Sequence, residues 1–245
     1  MILKTPAIVL KTIDFRETSR IAIFFTQDHG KVSGLLKGIR KDPKKFGSSL
    51  ERFSVNDIVF YQYRNSDLHL VSQCDMKEYF YAIRQDMSKF LAASYVAELV
   101  QAIMPNEEKN LLVFQLMLDF LKSLSSKTEI HSLVHAFQIK ILLYSGFRPH
   151  LDTCLKCKKK IQAKAKFSLK DGGLICLQCP TFNTEVYMIS PGTVASILHV
   201  ERSEWVSVLK LRLTESVKRE LKYVLNNFLV FHLGRQLQSV KYLKR

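Results

Sequence analysis

Two Cys-x-x-Cys pairs, Cys154/Cys157 and Cys176/Cys179, are separated by 18 residues and constrain this 245-residue chain more than any other feature. Each pair presents two thiolates from one tight turn, and two such turns brought together form the tetrahedral four-sulfur set that suits zinc. The intervening chain must then reverse direction. Residues 167–170, the turn Asp171-Gly172-Gly173 and residues 174–175 read as a hairpin returning the second pair to the first. Four thiolates leave no open position for water or substrate, so the metal is expected to be structural and to hold a segment too small to fold alone. A metal-free or redox role for the pairs is the competing reading. The fifth cysteine, Cys74, stands alone at a strand end and reads as a small buried hydrophobe. An odd total with four cysteines paired this way favours metal in a reducing compartment over disulfides.

Charge is the second constraint. Lys plus Arg number 37 against 22 acidic residues, a formal +15, and a field of that sign favours polyanionic partners. The excess is uneven: +4 over 1–80, +1 over 81–150, +4 over 151–189 and +6 over 190–245. With 47% hydrophobic residues the chain has material for a core, which excludes wholesale disorder. The longest apolar run, 111–121, is interrupted by Gln115 and Asp119 and is too short to span a membrane. Lys4 and Pro6 occupy the place of a secretory apolar core, so a cytoplasmic, soluble protein is expected.

Hydrophobic period divides the chain. Ala7, Val9, Ile13 and Phe15, then Ile21, Ile23 and Phe25, alternate with polar positions, and Asp28-His29-Gly30 signals a turn. Residues 31–39, 58–63 and 68–73 add strands, the last two joined at Asn65-Ser66-Asp67. Five short strands suggest a small barrel, best an OB-fold, with a generic SH3-like barrel as the alternative. From about Asp86 the spacing becomes helical: Ala92, Val96, Leu99 and Ile103; Leu111, Phe114, Leu118 and Leu121; Ile130, Val134, Phe137, Ile141 and Tyr144. Two more helices are expected, 191–199 capped by Ser190 and 215–238 with Val217, Leu221, Val224, Leu225, Phe228 and Phe231 on its apolar face. The fold class is thus α+β. It comprises an OB-fold domain over 1–80, a helical domain over 81–150 and 186–245, and a zinc-binding segment, 151–185, inserted in the helical domain.

A second chemical signal is KGIRKDPKKFG, where Lys37, Arg40, Lys41, Lys44 and Lys45 crowd an irregular stretch beside strands carrying Phe46, Phe53, Phe60, Tyr61 and Tyr63. Basic loops with nearby aromatics are how single-strand binders grip phosphates and stack bases, although most of these aromatics are expected in the barrel core. Lys156, Lys158, Lys159 and Lys160, on the first cysteine turn, suit either phosphate contact or neutralisation of the thiolates. His131 and His135 are four apart, but Ser132 stands where zinc peptidases carry Glu, so a structural role is expected. No phosphate loop and no serine-hydrolase elbow occur, and enzymatic activity is not expected.

The order of barrel, helices, cysteine hairpin and C-terminal helix resembles the RecO family of bacterial recombination mediators. The resemblance is carried by Ala7-Ile8-Val9-Leu10, Glu17-Thr18-Ser19, Gly30, Lys37-Gly38-Ile39-Arg40 through Leu50 and Phe53, and Phe137-Gln138-Ile139-Lys140 to Leu143. Gly146-Phe147-Arg148-Pro149 into Cys154, Gly172-Gly173-Leu174-x-Cys176, His232-Leu233-Gly234-Arg235 and Ser239 complete it. It implies a DNA repair and recombination factor that binds single- and double-stranded DNA through Lys37, Arg40, Lys41, Lys44 and Lys45. Such a factor anneals complementary strands without ATP and helps load recombinase onto DNA coated with single-stranded-DNA-binding protein. Implied partners are the RecR protein, in some members RecF, and the acidic tail of the single-stranded-DNA-binding protein. Lys122, Lys127 and Lys140 are the candidates for docking that tail. A nucleoid-associated cytoplasmic location goes with it, and no membrane partner is expected. Some members lack the cysteines, while this chain has all four. A magnesium-dependent nuclease and a protein-only scaffold are the rival classes.

Overall fold

A computed structural model describes residues 1–42, 46, 50–126, 129–181 and 185–241. They form two compact units, one of 1–127 with 239–245 and one of 128–238. The helices up to residue 126 group with the barrel in the first unit.

The first unit is built on a closed barrel of β1 (Ile2–Phe15), β2 (Ser19–Thr26), β3 (Gly30–Leu36), β4 (Val55–Tyr61) and β5 (Leu68–Glu78). The strand order β1-β2-β3-β5-β4, closed by β1 against β4 and with β3 parallel to β5, is that of the OB-fold. Its closure depends on β1, 14 residues long, whose register shifts between Val9 and Lys11. Such a bulge bends a strand, and here residues 2–8 pair with β4 while 7–15 pair with β2. Alternation sends Ala7, Val9, Ala22, Phe24, Val32, Ile58, Phe60, Val71 and Cys74 inward. Gly34 makes room for this core, because a Cβ there would lie 2.5 Å from Val71 Cγ2.

Three helices complete the unit: α1 (Tyr81–Arg84), α2 (Met87–Ile103) and α3 (Leu111–Ser125). Asp86 caps α2 by accepting from the backbone N–H groups of Ser88 and Lys89, and Asn110 caps α3 at Val113. The predicted stripe of α2 is buried throughout. That of α3 holds at Phe114 and Leu121, whereas Leu111 is exposed and Val113, Met117, Phe120 and Leu124 complete the packing face. Several contacts bind helices to barrel. Lys31 Nζ of β3 donates to Gln101 O (2.8 Å) and Met104 O (2.7 Å) at the end of α2. His69 Nδ1 accepts from the Tyr63 backbone N–H, so Nε2 carries the hydrogen and donates to Glu107 Oε1 at 2.7 Å. Gly30, at φ +62°, lets this segment approach, since a Cβ would meet Glu108 O at 2.1 Å. A 3-10 turn, Gln238–Lys241, brings Ser239 back to this unit, where its N–H and hydroxyl both donate to Glu98 Oε2.

The second unit holds α4 (Ile130–Tyr144), the sheet β7-β6-β8, α5 (Pro191–Arg202), α6 (Trp205–Val208) and α7 (Glu215–Leu233). The strands are β6 (Ala165–Ser168), β7 (Gly173–Ile175) and β8 (Val186–Ile189). Helix α4 is its centre, buried without interruption from Leu133 to Leu142, polar residues included. His135 Nδ1 lies 2.9 Å from Gln138 Oε1, and Gln138 Nε2 donates to Asn226 Oδ1 of α7. Lys140 Nζ donates to Glu201 O (3.1 Å) and Ser203 O (2.7 Å) at the end of α5. At the other end of α5, Glu220 Oε2 of α7 accepts from Ser190 N and Oγ and from Thr193 Oγ1. Helix α7 is shorter than the predicted 215–238: it stops at Gly234, whose left-handed φ of +65° ends the helical run.

Lys31→Met and Lys140→Met each strand two carbonyl oxygens, and each is expected to destabilise its unit by about 1–3 kcal/mol in urea denaturation. Lys122→Met, exposed on α3, should change stability by no more than about 0.5 kcal/mol; equal effects at all three positions would refute the assignment. Burial holds the His135 imidazole below its ordinary 6.5. The folded unit then binds fewer protons than the unfolded chain, so this contribution is intact above pH 6.5 and is lost as pH falls below it. Melting the His135→Gln variant between pH 7 and 5 should show a shallower loss than the parent chain.

Candidate metal centre and nucleic-acid interface

Backbone pairing assembles the cysteine site. His150 exchanges N–H···O bonds with the hairpin: His150 N donates to Gly172 O, and Leu174 N donates to His150 O. Gly173 permits this, because a Cβ there would lie 2.5 Å from His150 O. Leu155 N donates to Leu174 O, so the first knuckle is fastened beside β7, from which Cys176 emerges. The knuckle itself closes through Lys158 N to Cys154 O and Cys154 N to Lys159 O, with Lys158 at φ +61°. Strand β8, unanticipated in the sequence reading, pairs with β6 and backs the hairpin; the apolar run Val186-Tyr187-Met188-Ile189 was its available signal.

The four sulfurs all lie within 4.8 Å of one another, with Cys154–Cys179 at 3.9 Å and Cys157–Cys176 at 3.8 Å. A tetrahedron with metal–sulfur bonds of about 2.3 Å has edges of about 3.8 Å, so the donor set fits zinc in number, chemistry and spacing. Burial raises the Cys154 thiol, but the backbone N–H groups of Cys157, Cys176 and Lys156 outweigh it and bring the pKa down to about 6. Cys179 is pushed up to about 12, first by its hydrogen bond with Cys176, then by burial and the other cysteines. One thiolate is thus prepared by the backbone, while Cys179 holds its proton until a cation offsets the charge.

On the barrel, the loop after β3 turns at Gly38, φ +80°, whose carbonyl accepts from Lys41 N and Asp42 N. Ile39 is buried and anchors it, leaving Lys37, Arg40 and Lys41 exposed. Lys44 and Lys45 lie outside the described residues. Arg40 is tethered: its N–H donates to Thr18 O, its Nη1 to Arg16 O, and its Nε lies 3.7 Å from Asp14 Oδ2. The β1–β2 turn therefore adds exposed Arg16, whose guanidinium lies 5.3 Å from the Phe15 ring. Sequence reasoning missed Arg16 because only the strand pairing brings it to the loop. Asp14, held below the usual carboxylate range by hydrogen bonding to Arg20, offsets part of this charge. Of the nearby aromatics, Phe46, Phe53 and Phe60 are buried, while Tyr61 and Tyr63 are exposed.

The remaining candidates divide clearly. Lys140 is 4% exposed and committed to the end of α5, which corrects its placement among residues available to a partner. Lys122 is exposed, and Lys127 lies outside the described residues. His135 and Cys74 are buried structural groups. Among the described residues, no helix is long and apolar enough to cross a membrane.

Comparison with known proteins covers both units. The family described as Recombination protein O N terminal matches residues 1–80, and that described as Recombination protein O C terminal matches 84–241. The chain is 30% identical over 238 residues to the DNA repair protein RecO of Alkaliphilus metalliredigens, covering 96% of this chain and 95% of that one. It is 30% identical to the DNA repair protein RecO of Syntrophus aciditrophicus, with 98% and 94% covered, and 28% identical to that of Desulforamulus reducens, with 100% and 94% covered. Barrel, helices and four-cysteine hairpin together match along nearly the full length, and the chain belongs to the RecO family of DNA-repair proteins, non-enzymatic recombination mediators.

Proposed function

We propose that this protein binds single- and double-stranded DNA, anneals complementary strands without ATP and assists recombinase loading onto DNA coated with single-stranded-DNA-binding protein. The observation that carries the reading is an OB-type barrel, within a chain of this family, that exposes Lys37, Arg40 and Lys41 beside Arg16. Annealing requires a protein that lowers repulsion between two phosphate backbones without locking either, and exposed surface cations on a barrel do this through diffuse contacts. RecR, in some settings RecF, and the acidic tail of the single-stranded-DNA-binding protein are the partners, in the cytoplasm at the nucleoid.

We assign Lys37, Arg40, Lys41, Lys44 and Lys45 as phosphate contacts. Replacing the five with Gln should weaken oligonucleotide binding evenly across sequences and reduce the salt slope by up to about 0.7 per lost single-strand contact. An unchanged slope in a fluorescence-anisotropy salt series would remove the loop from the interface. Annealing of complementary oligonucleotides, bare and coated with the cognate binding protein, tests the wider reading; failure of both would favour a scaffold that binds only protein.

The cysteine set is assigned to structural zinc held by Cys154, Cys157, Cys176 and Cys179, and what the metal supplies is a staple between the two knuckles. Cys154→Ser removes the buried ligand with the lowered pKa, so it should release zinc and unfold the region around 150–185. Zinc content by mass spectrometry and proteolysis within that region check this; full zinc retention with unchanged melting would refute it.

A further inference from the structure

We propose that the outer face of the cysteine knuckle is a second phosphate-binding surface, in a different unit from the barrel, formed by Lys156, Lys158, Lys159, Lys160 and Lys170. The inference rests on the nucleic-acid function proposed above and deepens it. All five side chains are exposed, and among the described residues none has an ion-pair or hydrogen-bond partner for its ammonium. The acidic groups of the segment are engaged or isolated: Asp152 pairs with Arg148 and Arg202, and Asp171 accepts from Ser168.

Neutralising the metal centre does not account for them. Four thiolates around a divalent cation carry a net charge of about −2, and hydrogen bonds from neighbouring groups satisfy such sulfurs. A backbone N–H supplies that here: Cys176 N donates to Cys154 Sγ at 3.3 Å. The lysine that does reach inward is Lys166, half-buried, whose Nζ donates to Cys179 O. The five others are exposed. Four of them fall within the five positions 156–160, on a turn whose middle residue, Lys158, is held in the left-handed region. Such crowding of like charge raises the energy of the free surface and is relieved when a polyanion binds. The turn is closed by backbone hydrogen bonds from Lys158 N to Cys154 O and from Cys154 N to Lys159 O, so the ammoniums stay clustered with little further ordering.

A nucleic-acid backbone fits this surface better than an acidic peptide does. The patch offers repeated point charges on long stems and no apolar pocket among these residues, which suits regularly spaced phosphates. It also gives annealing a physical basis: with one polyanion surface in each unit, one molecule can hold a strand on each, and the second capture occurs at the effective concentration set by the first.

The test uses the full-length, zinc-loaded protein carrying Lys156→Gln, Lys158→Gln, Lys159→Gln and Lys160→Gln together, with fluorescein-labelled oligo(dT) and a pair of complementary oligonucleotides as probes. Zinc content and melting temperature should match the parent protein. The oligonucleotide salt slope should fall by up to about 0.7 per lysine removed, and annealing should drop more than single-strand binding does. Crosslinking of the parent protein to a photoreactive oligonucleotide should mark residues 156–160, and should still do so when Lys37, Arg40 and Lys41 are changed to Gln. Binding, slope and annealing equal to the parent with zinc intact would overturn the proposal. So would loss of zinc from the variant, which would assign the lysines to the metal, or displacement of the oligonucleotide by an acidic peptide far more effectively than by poly(dT). If the parent protein itself neither binds nor anneals DNA, the wider functional reading fails first, and this inference falls with it.

Discussion

Lysine ammoniums close the C-termini of α2, α3 and α5, and the packing of these helices depends on them. Lys31 joins β3 to the end of α2, Lys89 joins α2 to the carbonyls of Ser125 and Ser126 at the end of α3, and Lys140 joins α4 to the end of α5. The last carbonyls of a helix lack intrahelical partners and carry the negative end of its dipole, so one ammonium satisfies two of them with favourable charge. A Lys also carries a long apolar stem, which lets it reach across a packed interface. Each clamp fixes one element against the next: sheet to helix, then helix to helix.

This divides a +15 chain into two populations of cations. The clamping lysines are buried or half-buried and belong to the fold, whereas Lys37, Lys41 and the lysines of the first cysteine knuckle project freely. Net charge alone does not separate these roles. The separation follows from where a helix ends in space relative to a lysine many residues away, as with Lys140 and the carbonyls of residues 201 and 203. The same logic governs the acidic side: Glu98 and Glu220 are spent on Ser239 and on the start of α5, and neither faces a ligand site.

Much of the architecture was legible. Period-two alternation identified the first two barrel strands and turn signals bounded the other three, because a barrel has one buried face and side chains that alternate across it. The cysteine spacing announced a metal site, since tetrahedral coordination leaves few ways to arrange two short turns. Reading was less secure where local pattern and tertiary contact diverge. Leu111 and Leu112 continue an apolar run yet remain exposed, because the face of α3 that meets the barrel is set by Phe114 against Phe25. Residues 235–238 continue the pattern of α7, but Gly234 ends the helix and turns the chain toward Ser239 and its bond to Glu98.

The sequence by itself determined the local chemistry: strand against helix by period, the metal set by spacing, the capping residue Ser190 by type, and the sign of the field by composition. Tertiary structure alone decided which charges are available. Arg16 reaches the basic loop because β1 and β2 bring the Thr18 turn under Arg40, and Lys140 is withdrawn because α5 ends above it. The physical reason is range. Propensity and coordination act over a few residues, whereas desolvation and hydrogen-bond satisfaction depend on neighbours that only the completed fold supplies.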